Sequence, residues 1–243
     1  MQISANTDVG RHRQSNQDAY IVDKLSDGTV FAVVCDGMGG HAGGNIASNI
    51  AVNRIESEIK KNYRDNMGSA SIKNMIESAV VHANLDIIDE AEQNRELEGM
   101  GTTAVIAVIS SMGSVVANIG DSRCYHISED NITQITKDHS LVQEMVDSGL
   151  ISADDAANHP RKNIITRALG ISEDVKTDFF DVDIKNNDKL LLCTDGLTNH
   201  VSDSAVNQII EQVDASISAD ALISLANLNG GTDNITAVVI YNN

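Results

Sequence analysis

The order of strand-like and helix-like stretches restricts the possible folds of this chain more than any other feature. Short runs rich in Val, Ile and Ala predict strands at residues 19–25 and 29–35, joined by the turn sequence SDG. Ile residues at helical spacing then predict two long helices, at 44–62 and at about 70–96. Because two strands are followed by two helices in succession, the chain lacks the strand–helix–strand alternation of a doubly wound parallel sheet. The pattern predicts an α+β fold.

The second half of the chain has the same grouping, with strands first, helices next and a strand at the end. Four short runs, GTTAVIAVIS, GSVVANIGD, RCYHIS and NITQIT, are typical of successive antiparallel strands. Between them and the next strand, Ser152 and Asp155 have the spacing of a capping box. The remaining expected elements are strands at 177–184, at 188–194 and in DNITAVVIYN, and helices near 203–213 and 218–228. We therefore expect antiparallel sheets flanked by helices.

Length and composition favour one domain. The chain has 243 residues, of which 42% are hydrophobic, and its single proline argues against proline-rich linkers, so we expect one domain over residues 1–243. The formal net charge of −18 disfavours binding to nucleic acid or to anionic lipid. Three scattered cysteines without CxxC spacing, and no run of about 18 apolar residues, predict a cytoplasmic protein with neither a disulfide framework nor a membrane segment.

The stretch FAVVCDGMGGHAGGNIAS, residues 31–48, places five glycines within eight residues after an apolar run. Gly37 to Ala42 fit the dinucleotide-binding pattern G-x-G-x-x-[GA], and Glu56 lies near the place of a ribose-binding acid. Against this reading, the charge of Asp36 would repel a pyrophosphate, and a second long helix follows where the next parallel strand is required. No Gly-Lys-Ser/Thr follows the glycines, which excludes a Walker A loop. A tight turn and a metal-binding carboxylate are the other readings.

Four aspartates lie at the ends of apolar, strand-like runs: Asp36, Asp121, Asp195 and Asp233. A single Asp-Gly pair is most often a turn. Four such carboxylates can instead converge on one cleft between two facing sheets, where they would repel one another unless cations neutralised them. Carboxylate oxygens are hard ligands that select Mg²⁺ or Mn²⁺. The residues thus predict a two-metal carboxylate site, for which phosphoester hydrolysis is a leading use.

An ordered set of motifs runs through the chain from Asn6 to Ile240. They are RHRQSNQDAY, VVCDGMGGHAGG, GTTAV, ANIGDSRCY, TKDHSLV, IITRALG, LLLCTDGLT and GGTDNITAVVI. Together they resemble the metal-dependent protein phosphatases, the protein phosphatase type 2C family, in its compact bacterial form. The resemblance implies a four-layer α-β-β-α sandwich, in which two central antiparallel sheets are flanked by pairs of antiparallel helices. It also implies a small flap subdomain at about 142–163.

The resemblance assigns metal ligands among the aspartates at the strand ends. It implies that Asp36 bridges two ions of Mn²⁺ or Mg²⁺ and that the carbonyl of Gly37 binds the second ion. Asp195 and Asp233 would hold the first ion. Asp121 would hold a third ion together with Asp195, as in bacterial members of the family.

The same resemblance implies catalytic roles for Arg13, Asp18 and His41. The Arg13 guanidinium would bind two oxygens of the substrate phosphate, and Asp18 would act through a metal-bound water. Many eukaryotic members carry a His directly after the metal-binding Asp-Gly, but here Met38 occupies that position. His41 is therefore a candidate proton donor to the leaving group or a helix cap, and a metal-bound water is the alternative acid. His139 is expected to be a hydrogen-bonded structural histidine.

The activity implied by the resemblance is hydrolysis of phosphoserine and phosphothreonine in proteins by direct attack of a metal-activated water, without a phosphoenzyme. The expected partners are phosphorylated proteins and a Ser/Thr kinase that the enzyme opposes, and the expected state is a monomer. None of the cysteines begins a C-x₅-R loop, which disfavours a phosphocysteine mechanism. The alternative is a catalytically weak relative that acts as a phosphoprotein-binding module; the intact aspartates and Arg13 count against it.

Overall fold

The structure is a computed structural model that describes residues 1–129 and 131–243, apart from the side chains of His41, Ala42 and Ala157. Within these residues the strands are β1 (Gln2–Asp8), β2 (Asp18–Lys24), β3 (Val30–Met38), β4 (Gly101–Thr102), β5 (Ala104–Ser110), β6 (Gly113–Ile119), β7 (Arg123–Ser128), β8 (Asn131–Gln134), β9 (Asp178–Val182), β10 (Lys189–Cys193) and β11 (Ile235–Tyr241). The helices are α1 (Gly40–Asn62), α2 (Ser69–Gln93), α3 (Leu141–Asp147), α4 (Ala153–Ala157), α5 (Asp195–Thr198), α6 (Asp203–Gln212) and α7 (Ser218–Leu228). None of these helices has the length and apolar character needed to cross a bilayer.

The strands form two antiparallel sheets. One sheet has the order β1-β11-β10-β7-β8, and the other has the order β2-β3-β5-β6-β9, with the short β4 paired to β3. The first and last strands pair with each other, from Gln2 opposite Tyr241 to Asp8 opposite Ile235. The prediction of antiparallel sheets rather than a doubly wound parallel sheet is confirmed.

The central strands are apolar throughout because both of their faces are buried. In β3, Ala32 and Val34 pack between the two sheets, whereas Phe31 and Val33 pack against α1 and α2. In β11, Val239 packs on the other side of the sandwich, against α6 and α7. Successive side chains of a strand point to opposite faces, so each sheet contacts the other sheet on one side and a helix pair on the other. The layers therefore run α-β-β-α, as the resemblance implies.

Strand β1 and helix α1 are two of the elements that differ from the expectations. Strand β1 was not predicted, because five of its seven residues are polar (Gln2, Ser4, Asn6, Thr7 and Asp8) and only a weak alternation remains. It is an edge strand that pairs with β11 alone, and edge strands need less apolar surface than central ones. Helix α1 begins at Gly40 rather than at residue 44, because the glycine-rich turn continues directly into the helix.

Short helices occupy the segment predicted as a flap. Helices α3 and α4 lie there, and α4 has the predicted capping box: Ser152 Oγ accepts the Asp155 N–H at 3.1 Å, and the Asp155 carboxylate accepts the Ser152 N–H at 3.3 Å. Each partner satisfies a backbone donor that the first turn of a helix leaves free.

Candidate active site

Strand ends of both sheets bring five aspartates to one region of the sandwich. Asp18 begins β2 and lies directly opposite Asp36, near the end of β3. Asp121 follows β6 in the same sheet. Asp195 follows β10 and Asp233 precedes β11, in the other sheet. The carboxylates therefore meet from opposite sides of the space between the sheets.

One cleft of about 430 Å³ contains most of the predicted site. Its lining includes Arg13, Asp36, Gly37, Asp121, Asp195 and Asp233. Asp18 is 6% exposed, and its pKa responds to the charges of Asp195 and Asp233, so it lies within electrostatic reach of the same cleft. Of the predicted site residues, only His41 is left without a described position, because its side chain is outside the described residues.

A second cleft of about 460 Å³ continues from the first and shares Asp121 and Asp195 with it. Its other wall comes from the two flap helices and includes Val142, Val146, Ala153 and Ala156. Helices α3 and α4 therefore border the acidic cleft on the side of Asp121.

The glycines after Asp36 allow a close crossing of strand and helix. A Cβ atom on Gly37 would lie 2.0 Å from the carbonyl oxygen of Gly44, so no side chain fits where β3 passes α1. The Gly37 N–H donates to the Gln17 carbonyl at 3.1 Å, and the Gln17 side chain donates to the Gly40 carbonyl at 2.8 Å. A pyrophosphate cradle needs free N–H groups and a parallel sheet. The dinucleotide reading is therefore wrong for this stretch.

Burial and mutual repulsion make the ionised aspartates costly when no cation is present. Burial first, and then the neighbouring carboxylates, raise the pKa of Asp36 well above its usual value. Burial likewise raises the pKa of Asp18 to about 7, against the effect of two threonine hydrogen bonds, and that of Asp121 to about 7. The pKa of Asp195 is raised by burial and by Asp233. A divalent cation would reverse this penalty, because it stabilises the ionised form of every ligand.

The donor set fits a hard divalent metal. All of the converging side chains supply carboxylate oxygens, which Mg²⁺ and Mn²⁺ prefer, and the buried Oδ1 of Asp18 has no hydrogen-bond partner among the described residues. No three His, Cys, Asp or Glu side chains in the described part of the chain are already arranged around one point. Asp233 accepts from Arg13 at 2.8 Å and Asp195 accepts from Asn199 at 2.9 Å.

Arg13 lies at the mouth of the cleft. Its side chain is 51% exposed, and its NH2 group forms the ion pair with Asp233. Arg13 precedes β2 in the loop that follows β1, so the unpredicted edge strand β1 is what brings this loop to the site. An exposed ion pair of this kind contributes little to stability.

His139 holds the loop that carries Asp121. Its backbone N–H donates to the Gly120 carbonyl at 2.9 Å, and its ring Nδ1 accepts the Gly120 N–H at 3.1 Å. Its Nε2 lies 3.2 Å from the Asp178 carboxylate. Burial lowers the pKa of His139, which agrees with the neutral ring that this acceptor role requires. The position fits the expectation of a structural histidine.

Sequence reasoning missed the threonines around the aspartates. Thr103 Oγ1 accepts the Asp36 N–H at 2.9 Å, and the hydroxyls of Thr194 and Thr236 donate to Asp18 Oδ2 at 2.9 Å and 2.7 Å. Each threonine belongs to a motif named above, GTTAV, LLLCTDGLT or GGTDNITAVVI. Of the three, only Thr194 lies next to one of the predicted aspartates in the sequence, and that spacing gives no direction for its hydroxyl.

The fold and the acidic cleft together are those of a class of metal-dependent hydrolases built on a four-layer α-β-β-α sandwich. Comparison with known proteins identifies the family within this class. The sequence model described as "Protein phosphatase 2C" matches residues 9–227. The chain belongs to the protein phosphatase 2C family.

Individual relatives agree over the whole chain. The chain is 41% identical to the serine/threonine phosphatase stp of Listeria innocua, over 100% of this chain and 96% of that protein. It is 36% identical to the protein phosphatase PhpP of Streptococcus pneumoniae, over 100% of this chain and 98% of that protein. Among solved structures, the serine/threonine phosphatase of S. agalactiae superposes with a TM-score of 0.93 at 33% identity, covering 100% of this chain and 99% of that one. The serine/threonine phosphatase PstP/Ppp of Mycobacterium tuberculosis gives a TM-score of 0.87 at 34% identity, with 98% and 97% covered.

Proposed function

We propose that this chain is a protein phosphatase that removes phosphate from phosphoserine and phosphothreonine in bacterial proteins, acting against a Ser/Thr kinase. The observation that carries the proposal is the acidic cleft, where carboxylates from both sheets converge beside one arginine. A neutral or basic cleft would bind a phosphate directly, whereas this one must first bind cations. The names of the relatives, serine/threonine phosphatase stp and protein phosphatase PhpP, support the substrate class.

The metals that fit are Mn²⁺ or Mg²⁺, with two ions in the cleft and a third beside the flap. Asp36 would contribute to both ions of the pair, the Gly37 carbonyl to the second, and Asp195 and Asp233 to the first. Asp121 and Asp195 line both clefts, which supports a third ion held by these two carboxylates. When bound, two such ions supply a water nucleophile at neutral pH and neutralise charge on the phosphoryl oxygens.

The protein's own groups bind and orient the reactants. Arg13 would leave Asp233 and donate two parallel hydrogen bonds to the phosphate. Asp18 would orient the attacking water through Oδ1, the oxygen that has no hydrogen-bond partner among the described residues. The three cysteines are fully buried, and burial raises their pKa values, so none is placed to form a phosphocysteine. This supports direct attack of water without a phosphoenzyme.

The proton donor to the departing serine or threonine is proposed to be His41, whose backbone lies in the first turn of α1, or a water bound in the cleft. We further propose a single catalytic domain over residues 1–243 that works as a monomer, with the segment at about 142–163 acting as a flap. The wall that α3 and α4 give to the second cleft supports a role for this flap beside the substrate.

Phosphatase activity in Mn²⁺ tests the proposal. We expect hydrolysis of a phosphothreonine peptide and of p-nitrophenyl phosphate in Mn²⁺, loss of activity in EDTA, and a loss of at least about 10³-fold in Asp195→Asn. Strong turnover in EDTA, or in the variant, would contradict the metal mechanism. A protein that binds the phosphopeptide in Mn²⁺ without turnover would instead be a phosphoprotein-binding module.

Replacing Arg13 tests the phosphate contact. Arg13→Ala should lower kcat/KM for the phosphopeptide by about 10- to 100-fold, the effect of losing charge-assisted hydrogen bonds, and Arg13→Lys should restore only part of it because an ammonium lacks the planar fork. The matched control is Arg11→Ala, an exposed arginine two residues earlier. Steady-state kinetics should show an effect at position 13 alone; equal losses in both variants would mean a general effect of positive charge.

A further inference from the structure

The buried Asp18 is held by a closed ring of hydrogen bonds that begins and ends on Asp18 itself. The ring passes through Asn16, Thr7 and Thr236, and a shorter arm reaches Asp18 through Thr194. We propose that Thr194 and Thr236 are positioning residues for the hydrolytic reaction, which fix Asp18 Oδ2 and leave Oδ1 as the oxygen that orients the attacking water. This inference rests on the proposed phosphatase function.

The directions of the hydrogen bonds in the ring follow from its two ends, the Asp18 N–H and the Asp18 carboxylate. The Asp18 N–H can only donate, and its partner at 3.1 Å is Asn16 Oδ1. The Asn16 Nδ2 group must then face Thr7 Oγ1, at 2.9 Å, and donate to it. Thr7 Oγ1 therefore accepts from Asn16. The Thr236 hydroxyl donates to Asp18 Oδ2 at 2.7 Å, so its oxygen accepts the Thr7 proton at 2.7 Å.

The shorter arm is directed in the same way. The Thr236 backbone N–H donates to Thr194 Oγ1 at 3.0 Å, so this hydroxyl oxygen is an acceptor. The Thr194 proton then points to Asp18 Oδ2 at 2.9 Å. Both arms end on the same carboxylate oxygen, and both deliver a proton to it.

Two donors on Oδ2 distinguish the two oxygens of Asp18. Oδ2 is saturated and held from two directions, whereas Oδ1 is buried and has no hydrogen-bond partner in the parts of the chain described. Thr194 and Thr236 are both 0% exposed, so neither hydroxyl can contact a substrate. Their effect on the reaction must pass through the orientation of Asp18. Removing one donor would let the carboxylate rotate and expose either oxygen.

Valine substitutions remove the hydroxyls and keep the shape. In the Mn²⁺-loaded enzyme, Thr236→Val and Thr194→Val should each lower kcat for a phosphopeptide by about 10- to 100-fold, the usual cost of losing a group that orients a metal-site residue. KM should change by less than about 2-fold, because Arg13 still binds the phosphate. Thr236→Ser, which keeps the hydroxyl, should recover most of kcat.

The ring can also be tested without metal or activity, by urea unfolding in EDTA. Thr236→Val should lower the urea midpoint, because the buried Asp18 loses a donor, and in an Asp18→Ala background the same substitution should cause a smaller shift. The matched control is Thr29→Val. Thr29 is 2% exposed, and its hydroxyl lies 2.7 Å from the hydroxyl of Tyr63, which does not belong to the hydrogen-bond ring of Asp18. This variant should lower the midpoint equally in both backgrounds and keep kcat.

The outcomes separate the two proposals. Three results would each overturn the positioning role. The first is an unchanged kcat in Thr236→Val, and the second is a loss of kcat in Thr29→Val as large as that in Thr236→Val. The third is a shift in the urea midpoint of Thr236→Val that is the same with and without Asp18. A wild-type chain with no Mn²⁺-dependent turnover would overturn the phosphatase function, while the unfolding experiment in EDTA would still decide whether the hydroxyls hold Asp18.

Discussion

Replacing Asp36 by Asn should abolish catalysis and at the same time make the metal-free protein more stable. We expect kcat/KM for a phosphopeptide in Mn²⁺ to fall by at least about 10³-fold, equal to about 4 kcal/mol of transition-state stabilisation. In EDTA the thermal midpoint of unfolding should rise by about 5–10 °C. Loss of function with a gain of stability is the combination expected of a residue retained for metal binding.

The gain in stability follows from the pKa of Asp36. Burial and the neighbouring aspartates raise it well above the ordinary value of 3.8, so at neutral pH the folded, metal-free protein must carry a carboxyl that the unfolded chain prefers to ionise. Keeping that proton costs a few kcal/mol near pH 7, and an amide of the same shape avoids the cost. A stabilisation of that size corresponds to several degrees for a domain of this length.

Asp188 offers a control with the opposite sign. It is 7% exposed, and although burial raises its pKa, hydrogen bonds from the Lys185 N–H and from His126 lower it below the usual value. Asp188→Asn should therefore destabilise the protein and leave kcat/KM unchanged. Calorimetry in EDTA and steady-state kinetics in Mn²⁺ measure both effects. An Asp36→Asn protein that keeps its activity, or that unfolds below the wild type in EDTA, would remove Asp36 from the proposed centre.

The layers of the fold could be predicted from sequence because burial leaves a direct signal in it. Strand β3 is apolar at consecutive positions since it contacts the other sheet through Ala32 and the helices through Phe31. Strand β1 gave a weak signal, because an edge strand is stabilised mainly by its backbone pairing to β11, and backbone hydrogen bonds do not depend on side-chain identity. The central strands can therefore be predicted from sequence, whereas the pairing of the N-terminal edge strand with β11 cannot.

For the candidate site, sequence identified the charged residues and not the groups that hold them. Asp36 and Asp195 stand out in the sequence because a carboxylate at the end of an apolar, buried strand is costly unless a partner or a cation compensates its charge. Thr236 does not stand out, because a threonine in an apolar strand has the same sequence signature whether its hydroxyl faces a neighbour or a carboxylate. Its partner Thr7 lies 229 residues away, and no local pattern could join the two. The ion pair between Arg13 and Asp233 is equally non-local.

The metal-free protein should lose stability as pH rises from 5.5 to 7.5. Asp18 and Asp121, each with a pKa of about 7, and Asp36, whose pKa is raised well above 3.8, all bind protons more tightly in the folded state, mainly because they are buried. Their contribution is complete below the unfolded pKa near 3.8 and is lost as pH rises through the folded values. One proton retained across two pH units changes the free energy of unfolding by on the order of 3 kcal/mol, so the thermal midpoint in EDTA should fall by about 10 °C.

Mn²⁺ should reverse this dependence, because protons and cations compete for the same carboxylates. The rise in midpoint produced by about 1 mM Mn²⁺ should be small at pH 5.5 and largest at pH 7.5, and Asp36→Asn should show both a flatter pH profile in EDTA and a weaker response to Mn²⁺. Differential scanning fluorimetry at constant ionic strength measures the thermal midpoints of both proteins at each pH, with and without Mn²⁺. A Na⁺ buffer free of Ca²⁺ is the reference. A midpoint in EDTA that rises over this range would show that the aspartates are ionised in the folded protein without metal, and that the buried charge is neutralised by some group other than a cation.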